Sequence, residues 1–77
     1  LDVVFVDPPR KGCSKEFLDY LIQAKPSKII YISCDVATQA RDIKYLQEFN
    51  YQVDMCQPVD MFPHTTHIEN IIRLECM

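Results

Sequence analysis

The chain has 77 residues, of which 48% are hydrophobic and 25% are charged, and its formal net charge is −3. This composition is typical of a small folded domain and excludes a disordered chain. The acidic balance argues against a nucleic-acid binder that relies on its own positive charge. No apolar run approaches the ~20 residues of a membrane-spanning helix, and no basic segment followed by an apolar stretch suggests a signal peptide.

The first half of the chain alternates apolar runs with amphipathic stretches. The predicted elements are a strand over residues 2–7, a helix over 15–24 capped by Ser14, a strand over 28–33 and a helix over about 36–48 capped by Asp35. Both strands are expected to be buried on two faces and to run parallel, since helical crossovers join them. Because the first strand follows Leu1 almost at once, we expect a piece of a longer protein.

The last third predicts an antiparallel pair of strands. Alternation begins at Tyr51, and Pro58 interrupts it, so pairing there is expected to be bulged or edge-like. Residues 67–76 form the last predicted strand, after a loop over 60–66. No long crossover separates the two strands, which favours a hairpin. The predicted architecture is α/β: half of a doubly wound sheet, closed by a carboxyl-terminal antiparallel hairpin.

Four cysteines occur, and three polar segments fall near the expected site. The cysteines are Cys13, Cys34, Cys56 and Cys76. Without a secretory signal we expect free thiols in a cytoplasmic protein. In open α/β sheets the site lies beyond the carboxyl ends of the parallel strands. Residues 7–12 and 33–35 lie there, and the hairpin turn over residues 60–69 is able to reach the same edge.

Cys34 is a candidate nucleophile. It follows a predicted buried strand and precedes a predicted helix, whose amino terminus carries a partial positive charge that favours a thiolate. The carboxylate of Asp35 opposes that effect. The alternative is a small buried thiol with no chemical role, which is the commoner state of a free cysteine.

Asp7, Pro8, Pro9 and Arg10 form the second candidate segment. The two prolines stiffen the backbone directly after a strand and fix one carboxylate and several carbonyl groups in an outward geometry. Such an arrangement suits binding to the edge of a planar ring. The alternative is a rigid connection between a strand and a helix, with Arg10 solvated.

Glu69 is a candidate general base, because it lies where a predicted loop enters the last strand. The alternative is an exposed strand carboxylate. His64 and His67 lie close to it in sequence, but their spacing matches no closed zinc pattern, so we expect no metal site. The chain also has a single glycine, Gly12, and therefore no glycine-rich phosphate loop.

Three segments together resemble the S-adenosylmethionine-dependent RNA uracil-5-methyltransferases that act on ribosomal or transfer RNA. They are residues 7–12 (DPPRKG), 33–42 (SCDVATQARD) and 60–69 (DMFPHTTHIE). Their order and spacing match as well, and the resemblance covers essentially the whole chain. One position departs from the pattern: Val36 stands where the family usually has proline, which at a first helical position helps to set the turn.

The resemblance implies roles for the candidate residues. Cys34 looks like the nucleophile that adds to carbon 6 of uracil, and Glu69 looks like the base that removes the proton from carbon 5. Asp7 and Arg10 look like ligands that orient the uracil. Asp7 and Pro8 are also the residues expected to touch S-adenosylmethionine, whose main binding loop, rich in glycine, is absent from these 77 residues.

The resemblance also implies a partial Rossmann-like methyltransferase sheet, with residues 1–77 as the carboxyl-terminal part of a catalytic domain. RNA is the expected partner of the full-length enzyme, with no membrane involved. Alone, the piece is expected neither to methylate nor to bind RNA well, and its first strand, over residues 2–7, is expected to self-associate through a free edge. The alternatives are a cytosine-5 or adenine-amino methyltransferase, both disfavoured by Arg10, and a structural or interaction α/β module.

Overall fold

The computed structural model describes residues 3–9, 11–60 and 68–77. Their elements are β1 (Val3–Val6), α1 (Lys15–Ala24), β2 (Lys28–Ser33), α2 (Val36–Gln47), β3 (Tyr51–Asp60) and β4 (Ile68–Cys76). The α/β class is confirmed, and the two helices and four strands follow the predicted order with nearly the predicted bounds. In the part of the chain so described, no helix is long and apolar enough to span a membrane.

The four strands form one mixed sheet in the order β1-β2-β4-β3. β1 and β2 pair in parallel, and β4 pairs antiparallel with both β2 and β3. The predicted parallel pair and the predicted hairpin are therefore confirmed. Because β4 runs antiparallel to β2, the first residues of β4 lie at the same end of the sheet as the last residues of β2.

Side-chain caps explain where the helices begin. The Ser14 hydroxyl accepts a hydrogen bond from the backbone N–H of Phe17 at 3.2 Å, as expected of an N-cap. α1 ends at Lys25, whose backbone is left-handed (φ 53°) and whose N–H donates to the carbonyl of Leu21. The predicted helix over residues 15–24 is thus confirmed together with its cap.

The core lies between the two helices and one face of the sheet. Its buried apolar side chains are Val6, Leu18, Leu21, Ile29, Tyr31, Ile43, Leu46, Tyr51, Ile72 and Leu74. Both helices cover the same face, and the described residues leave the opposite face of β1 uncovered. Phe5 is 69% exposed and Val3 is 50% exposed. The expectation that the first strand is buried on both faces is therefore wrong for this chain.

The second helix and the third strand also differ in detail from the predictions. Apolar spacing predicts that Ala40, Ile43, Leu46 and the nearby Phe49 line the buried side of this helix. Ile43 and Leu46 are buried, but Ala40 and Phe49 are exposed, whereas the polar side chain of Gln39 is fully buried. β3 is an edge strand and runs through Pro58 without interruption, while its irregular pairing lies between Val53 and Met55. The edge position is as predicted. The bulge is not at Pro58, because proline is tolerated on an edge strand whose N–H positions can face outward.

Candidate active site

The end of the sheet where β2 finishes and β4 starts brings two of the predicted site residues together. The ladder between these strands ends at the pair formed by Ser33 and Asn70. Cys34 directly follows Ser33 and Glu69 directly precedes Asn70, so both residues flank that last pair at the same end of the sheet. On the other side of Glu69, Val59 of β3 is its partner.

Asp7 lies at the same edge of the sheet. It follows Val6, the last residue of β1, which pairs in parallel with Tyr31 of β2. Parallel strands end at a common edge, so the segment after β1 and the turn after β2 are neighbours there. The structure thus brings the segments of Asp7, Cys34 and Glu69 to one edge.

Hydrogen bonds of the Ser33 hydroxyl shape the turn that carries Cys34. The hydroxyl oxygen accepts from the backbone N–H of Asp35 at 3.0 Å and lies 3.2 Å from the Asp35 carbonyl oxygen, to which it donates. Ser33 is buried, whereas Cys34 is exposed. The alternative of a buried thiol at Cys34 is therefore wrong for this chain, while its chemical role stays a prediction. All four cysteines are free, as expected.

The residues after Cys34 fix the start of α2. The carboxylate of Asp35 accepts from the backbone N–H of Thr38 at 3.1 Å, and the Thr38 hydroxyl donates to the Asp35 carbonyl at 3.2 Å. This is the predicted N-cap. Val36, the first helical residue, is 58% exposed and belongs to no buried cluster. Its replacement of the family's usual proline therefore disturbs no packing. Cys34 lies directly before a capped helix amino terminus.

A cleft opens beside the segment after β1. It has a volume of about 320 Å³. Its lining residues are Phe5, Val6, Asp7, Pro8, Pro9, Gly12, Cys13, Ser14 and Phe17. Asp7 is exposed at this cleft and Pro8 is half-buried. The cleft does not extend to Cys34 or Glu69. Arg10 lies outside the described residues, so its role remains a prediction.

The segment after β1 is held on α2 by a carboxylate that sequence reasoning did not single out. Asp42 is 1% exposed. Its Oδ2 accepts from the backbone N–H of Cys13 at 2.8 Å and from the hydroxyl of Tyr31 at 2.6 Å. Burial raises the pKa of Tyr31, and the hydrogen bond to Asp42 adds to that rise. Burial is also the main reason that the pKa of Cys13 is raised.

Arg41 completes this arrangement from the solvent side. Its guanidinium donates to the other Asp42 oxygen, Oδ1, at 3.1 Å from Nη2 and 3.2 Å from Nε. Nη2 also donates to the Lys11 carbonyl at 2.9 Å. The Arg-Asp pair at the end of the second motif was the available sequence signal. A search for apolar residues at helical spacing omits this pair, because both of its side chains are charged.

A second buried polar contact joins α2 to β4 beside Glu69. The Gln39 amide nitrogen donates to the carbonyl oxygens of Tyr31 at 3.1 Å and Asn70 at 2.8 Å. The Asn70 amide nitrogen donates back to Gln39 Oε1 at 2.8 Å. Gln39 is fully buried and Asn70 is 8% exposed. This amide pair fixes α2 against the seam between β2 and β4.

The expectation that His64 and His67 form no metal site stays a prediction. His64 and His67 lie outside the described residues. Among the residues that the structure does describe, no group of three or more His, Cys, Asp or Glu side chains is placed to hold a metal ion.

Comparison with known proteins identifies the family of this chain. The family model described as tRNA (uracil-5-)-methyltransferase matches residues 1–77. An uncharacterized RNA methyltransferase of Bacillus cereus is 52% identical over 73 residues, which are 95% of this chain and 16% of that protein. An uncharacterized RNA methyltransferase of Clostridium tetani is 55% identical over 73 residues, with the same two shares.

A solved structure is similar as well. The Pyrococcus abyssi tRNA (uracil-54, C5)-methyltransferase, in complex with S-adenosyl-L-homocysteine, superposes with a TM-score of 0.84 at 44% identity. The match covers 95% of this chain and 18% of that one. The chain thus spans less than a fifth of the length of these relatives. With a family model that matches its whole length and relatives at about half identity, the chain belongs to the tRNA (uracil-5-)-methyltransferase family.

Proposed function

We propose that these residues are the carboxyl-terminal part of the catalytic domain of an S-adenosylmethionine-dependent RNA uracil-5-methyltransferase, which works through a covalent cysteine adduct. The observation that supports the proposal is that Cys34 and Glu69 flank the Ser33–Asn70 pair, at one end of the ladder between β2 and β4. The mixed sheet would then be the carboxyl-terminal portion of a Rossmann-like methyltransferase sheet, with the remainder supplied by the longer protein.

The chemistry of uracil explains why a thiol and a carboxylate are needed. Carbon 5 is a weak nucleophile until the Cys34 thiolate adds to carbon 6, which forms a C–S bond and an enolate. S-adenosylmethionine, when bound, supplies the methyl group that carbon 5 takes up. Glu69 then removes the proton from carbon 5, the carbon 5–carbon 6 double bond re-forms, and the thiolate leaves. The uridine must be flipped out of its stack to reach both groups.

Asp7 and Pro8 suit a contact with S-adenosylmethionine. The exposed carboxylate of Asp7 matches the ammonium group of the amino-acid portion, and Phe5 and Pro8 give the adjoining cleft an apolar wall. The related archaeal enzyme holds S-adenosyl-L-homocysteine. Most of the binding must come from residues outside this chain, since its single glycine, Gly12, is used in the turn after β1. Asp7 and Arg10 would also orient the uracil.

A uridine in RNA is the proposed substrate. The family description and the archaeal enzyme favour transfer RNA, and ribosomal RNA is the alternative. The net charge of −3 supports RNA binding through other parts of the longer protein. The isolated chain is therefore proposed to be inactive. β1 forms the edge of the described sheet, and its Phe5 side chain is exposed. Both features support self-association of the isolated chain.

The test is covalent trapping in the full-length protein. RNA that carries 5-fluorouridine should accumulate a protein adduct, because fluorine at carbon 5 cannot be removed as a proton is. Cys34→Ala should abolish both this adduct and methyl transfer. Cys76→Ala, at the opposite end of β4, is the matched control and should retain both activities. An adduct that persists in Cys34→Ala would identify another nucleophile and overturn the proposal.

A further inference from the structure

The Asp42 carboxylate joins three separate parts of the chain. Asp42 lies on α2 and is 1% exposed. Its Oδ2 receives the backbone N–H of Cys13, which ends the segment after β1, and the hydroxyl of Tyr31, which lies on β2. Its Oδ1 receives the Arg41 guanidinium. A buried charge is tolerated only when hydrogen bonds or an opposite charge compensate it. Here both oxygens have protein donors.

The backbone of Gly12 packs so closely against the Asp42 carboxylate that no side chain fits between them. A Cβ atom added to Gly12 would lie 2.7 Å from Asp42 Oδ2 and 2.7 Å from Arg41 Nη2. Gly12 also has φ +86°, which other residues rarely adopt. Its N–H closes a turn onto the carbonyl of Pro9 at 2.8 Å. Residues 11–13, at the end of the segment that follows β1, therefore rest directly on the Arg41–Asp42 pair.

Cys34 lies just before the same helix. Asp35, the N-cap, follows Cys34 directly, and a helix keeps its two ends at a fixed separation. A residue on α2 that holds the segment 7–13 therefore also sets where that segment lies relative to Cys34. Tyr31 also donates a hydrogen bond to the Asp42 carboxylate. Because Tyr31 lies on β2, the strand that ends directly before Cys34, this bond also helps to fix the position of Asp42 relative to Cys34.

We propose that Asp42 is a positioning residue, which holds the Asp7 segment so that a uracil bound by it presents carbon 6 to the Cys34 sulfur. This inference rests on the proposed function. It assigns Asp42 no contact with substrate or cofactor: the carboxylate acts through the segment of residues 7–13. Arg41 supports Asp42 in this role, because its guanidinium donates hydrogen bonds to both the Lys11 carbonyl and Asp42 Oδ1 from the solvent side.

The test compares two reactions of the Cys34 thiol in the full-length protein. Asp42→Asn removes the charge and turns one acceptor oxygen into a donor nitrogen, so either the Oδ2 or the Oδ1 contacts are lost. Adduct formation with 5-fluorouridine RNA should slow by about tenfold to a hundredfold, since small misplacements of reacting groups cost that much. Alkylation of Cys34 by iodoacetamide, followed by peptide mass spectrometry, should keep the wild-type rate. Loss of local structure would change both rates together.

Two further variants serve as a control and as a second test of the same contact. Asp19→Asn removes an exposed carboxylate on α1, which bonds the Tyr45 hydroxyl, and should change neither rate. Arg41→Met, at a side chain that is 59% exposed, should slow trapping in the same direction by a smaller factor and decides the matter if Asp42→Asn fails to fold. Wild-type trapping rates in both Arg41→Met and Asp42→Asn, or parallel loss of alkylation, would overturn the inference. Absence of any adduct in the wild-type protein would instead overturn the proposed function.

Discussion

Cys34 directly follows Ser33 and Glu69 directly precedes Asn70, and Ser33 and Asn70 form the last pair of the ladder between β2 and β4. Directly opposed residues of an antiparallel pair have Cα atoms about 4.5–5.5 Å apart, so this register brings the ends of the two strands together. Two residues that are distant in sequence, Cys34 and Glu69, thereby lie at a single edge of the sheet. A flipped pyrimidine, attacked at carbon 6 and deprotonated at carbon 5, requires such an arrangement.

Glu69→Gln in the full-length protein should separate the two halves of the proposed reaction. The amide cannot take the proton from carbon 5, so the methylated cysteine adduct with ordinary RNA should accumulate. Turnover should fall by about 10²–10⁴-fold, the usual contribution of a general base. Denaturing gel electrophoresis of labelled RNA would detect the adduct, and methyl incorporation would give the rate.

Glu75→Gln is the matched control for that variant. Glu75 lies at the opposite end of β4, where it faces Lys28 at 3.7 Å in a surface ion pair. Its turnover should equal that of the wild-type protein. Wild-type turnover in Glu69→Gln would remove Glu69 from the reaction.

Local sequence features predicted most of the secondary structure. Three kinds of feature each depend on a few adjacent residues: the short apolar runs that form strands, the helix caps at Ser14 and Asp35, and the short connection between the last two strands. The elements predicted from them are confirmed. The position of β4 between β2 and β3 depends on pairing between distant segments. The sequence therefore predicted that Cys34 and Glu69 share an edge of the sheet, but it could not predict the register that ends the ladder at Ser33 and Asn70, their immediate neighbours.

The polar side of the core was harder to predict. An apolar stripe along α2 favours Ala40 and Phe49, whereas the structure buries Gln39 and Asp42. A polar side chain is buried when donors and acceptors from elsewhere in the fold satisfy it. Those partners, such as the N–H of Cys13, are brought in by tertiary packing. Periodicity carries no information about them.

Gly12→Ala should destabilise the fold. The backbone at φ +86° disfavours a side chain by about 1–2 kcal/mol, and the added Cβ would collide with Asp42 Oδ2 and Arg41 Nη2. Arg41 is exposed and can move aside, but Asp42 is buried. A lower midpoint in urea-induced unfolding of the full-length protein is expected. Lys11→Ala, the adjacent exposed position, should keep the wild-type midpoint, and an unchanged midpoint for Gly12→Ala would show that the segment is free to shift.

The amide pair of Gln39 and Asn70 should behave as a coupled unit. Gln39→Met removes the donor to two backbone carbonyls and the acceptor of the Asn70 amide, which should lower the free energy of unfolding by about 1–3 kcal/mol. Asn70→Leu should lower it by a similar amount. The double variant should cost less than the sum by about 1 kcal/mol, because each single change already breaks the shared contact. Urea-induced unfolding of all four proteins measures this cycle. Gln47→Met, an exposed glutamine on the same helix, is the control, and strictly additive losses would contradict the coupling.

Tyr31→Phe should alter how stability depends on alkaline pH. Burial, helped by the hydrogen bond to Asp42, raises the pKa of Tyr31 above its ordinary value of 10.0. A group with a raised pKa in the folded state stabilises the fold fully below its ordinary pKa and loses that contribution as the pH rises further. Burial raises the pKa of Cys13 above 9.0 in the same way. Stability should therefore decline from about pH 9 and more steeply beyond about pH 10.

The variant removes the Tyr31 share of that decline. Tyr31→Phe should lose about 1.5–3 kcal/mol at pH 7, because Asp42 loses a donor, and should then fall less steeply than the wild-type protein above about pH 10. Thermal melting of the full-length protein between pH 7 and about pH 10.5 measures both effects. Tyr20→Phe, at a ring that is 64% exposed on α1, is expected to follow the wild-type curve. Parallel curves for Tyr31→Phe and the wild-type protein would mean that the phenol is not held in its neutral form by the fold.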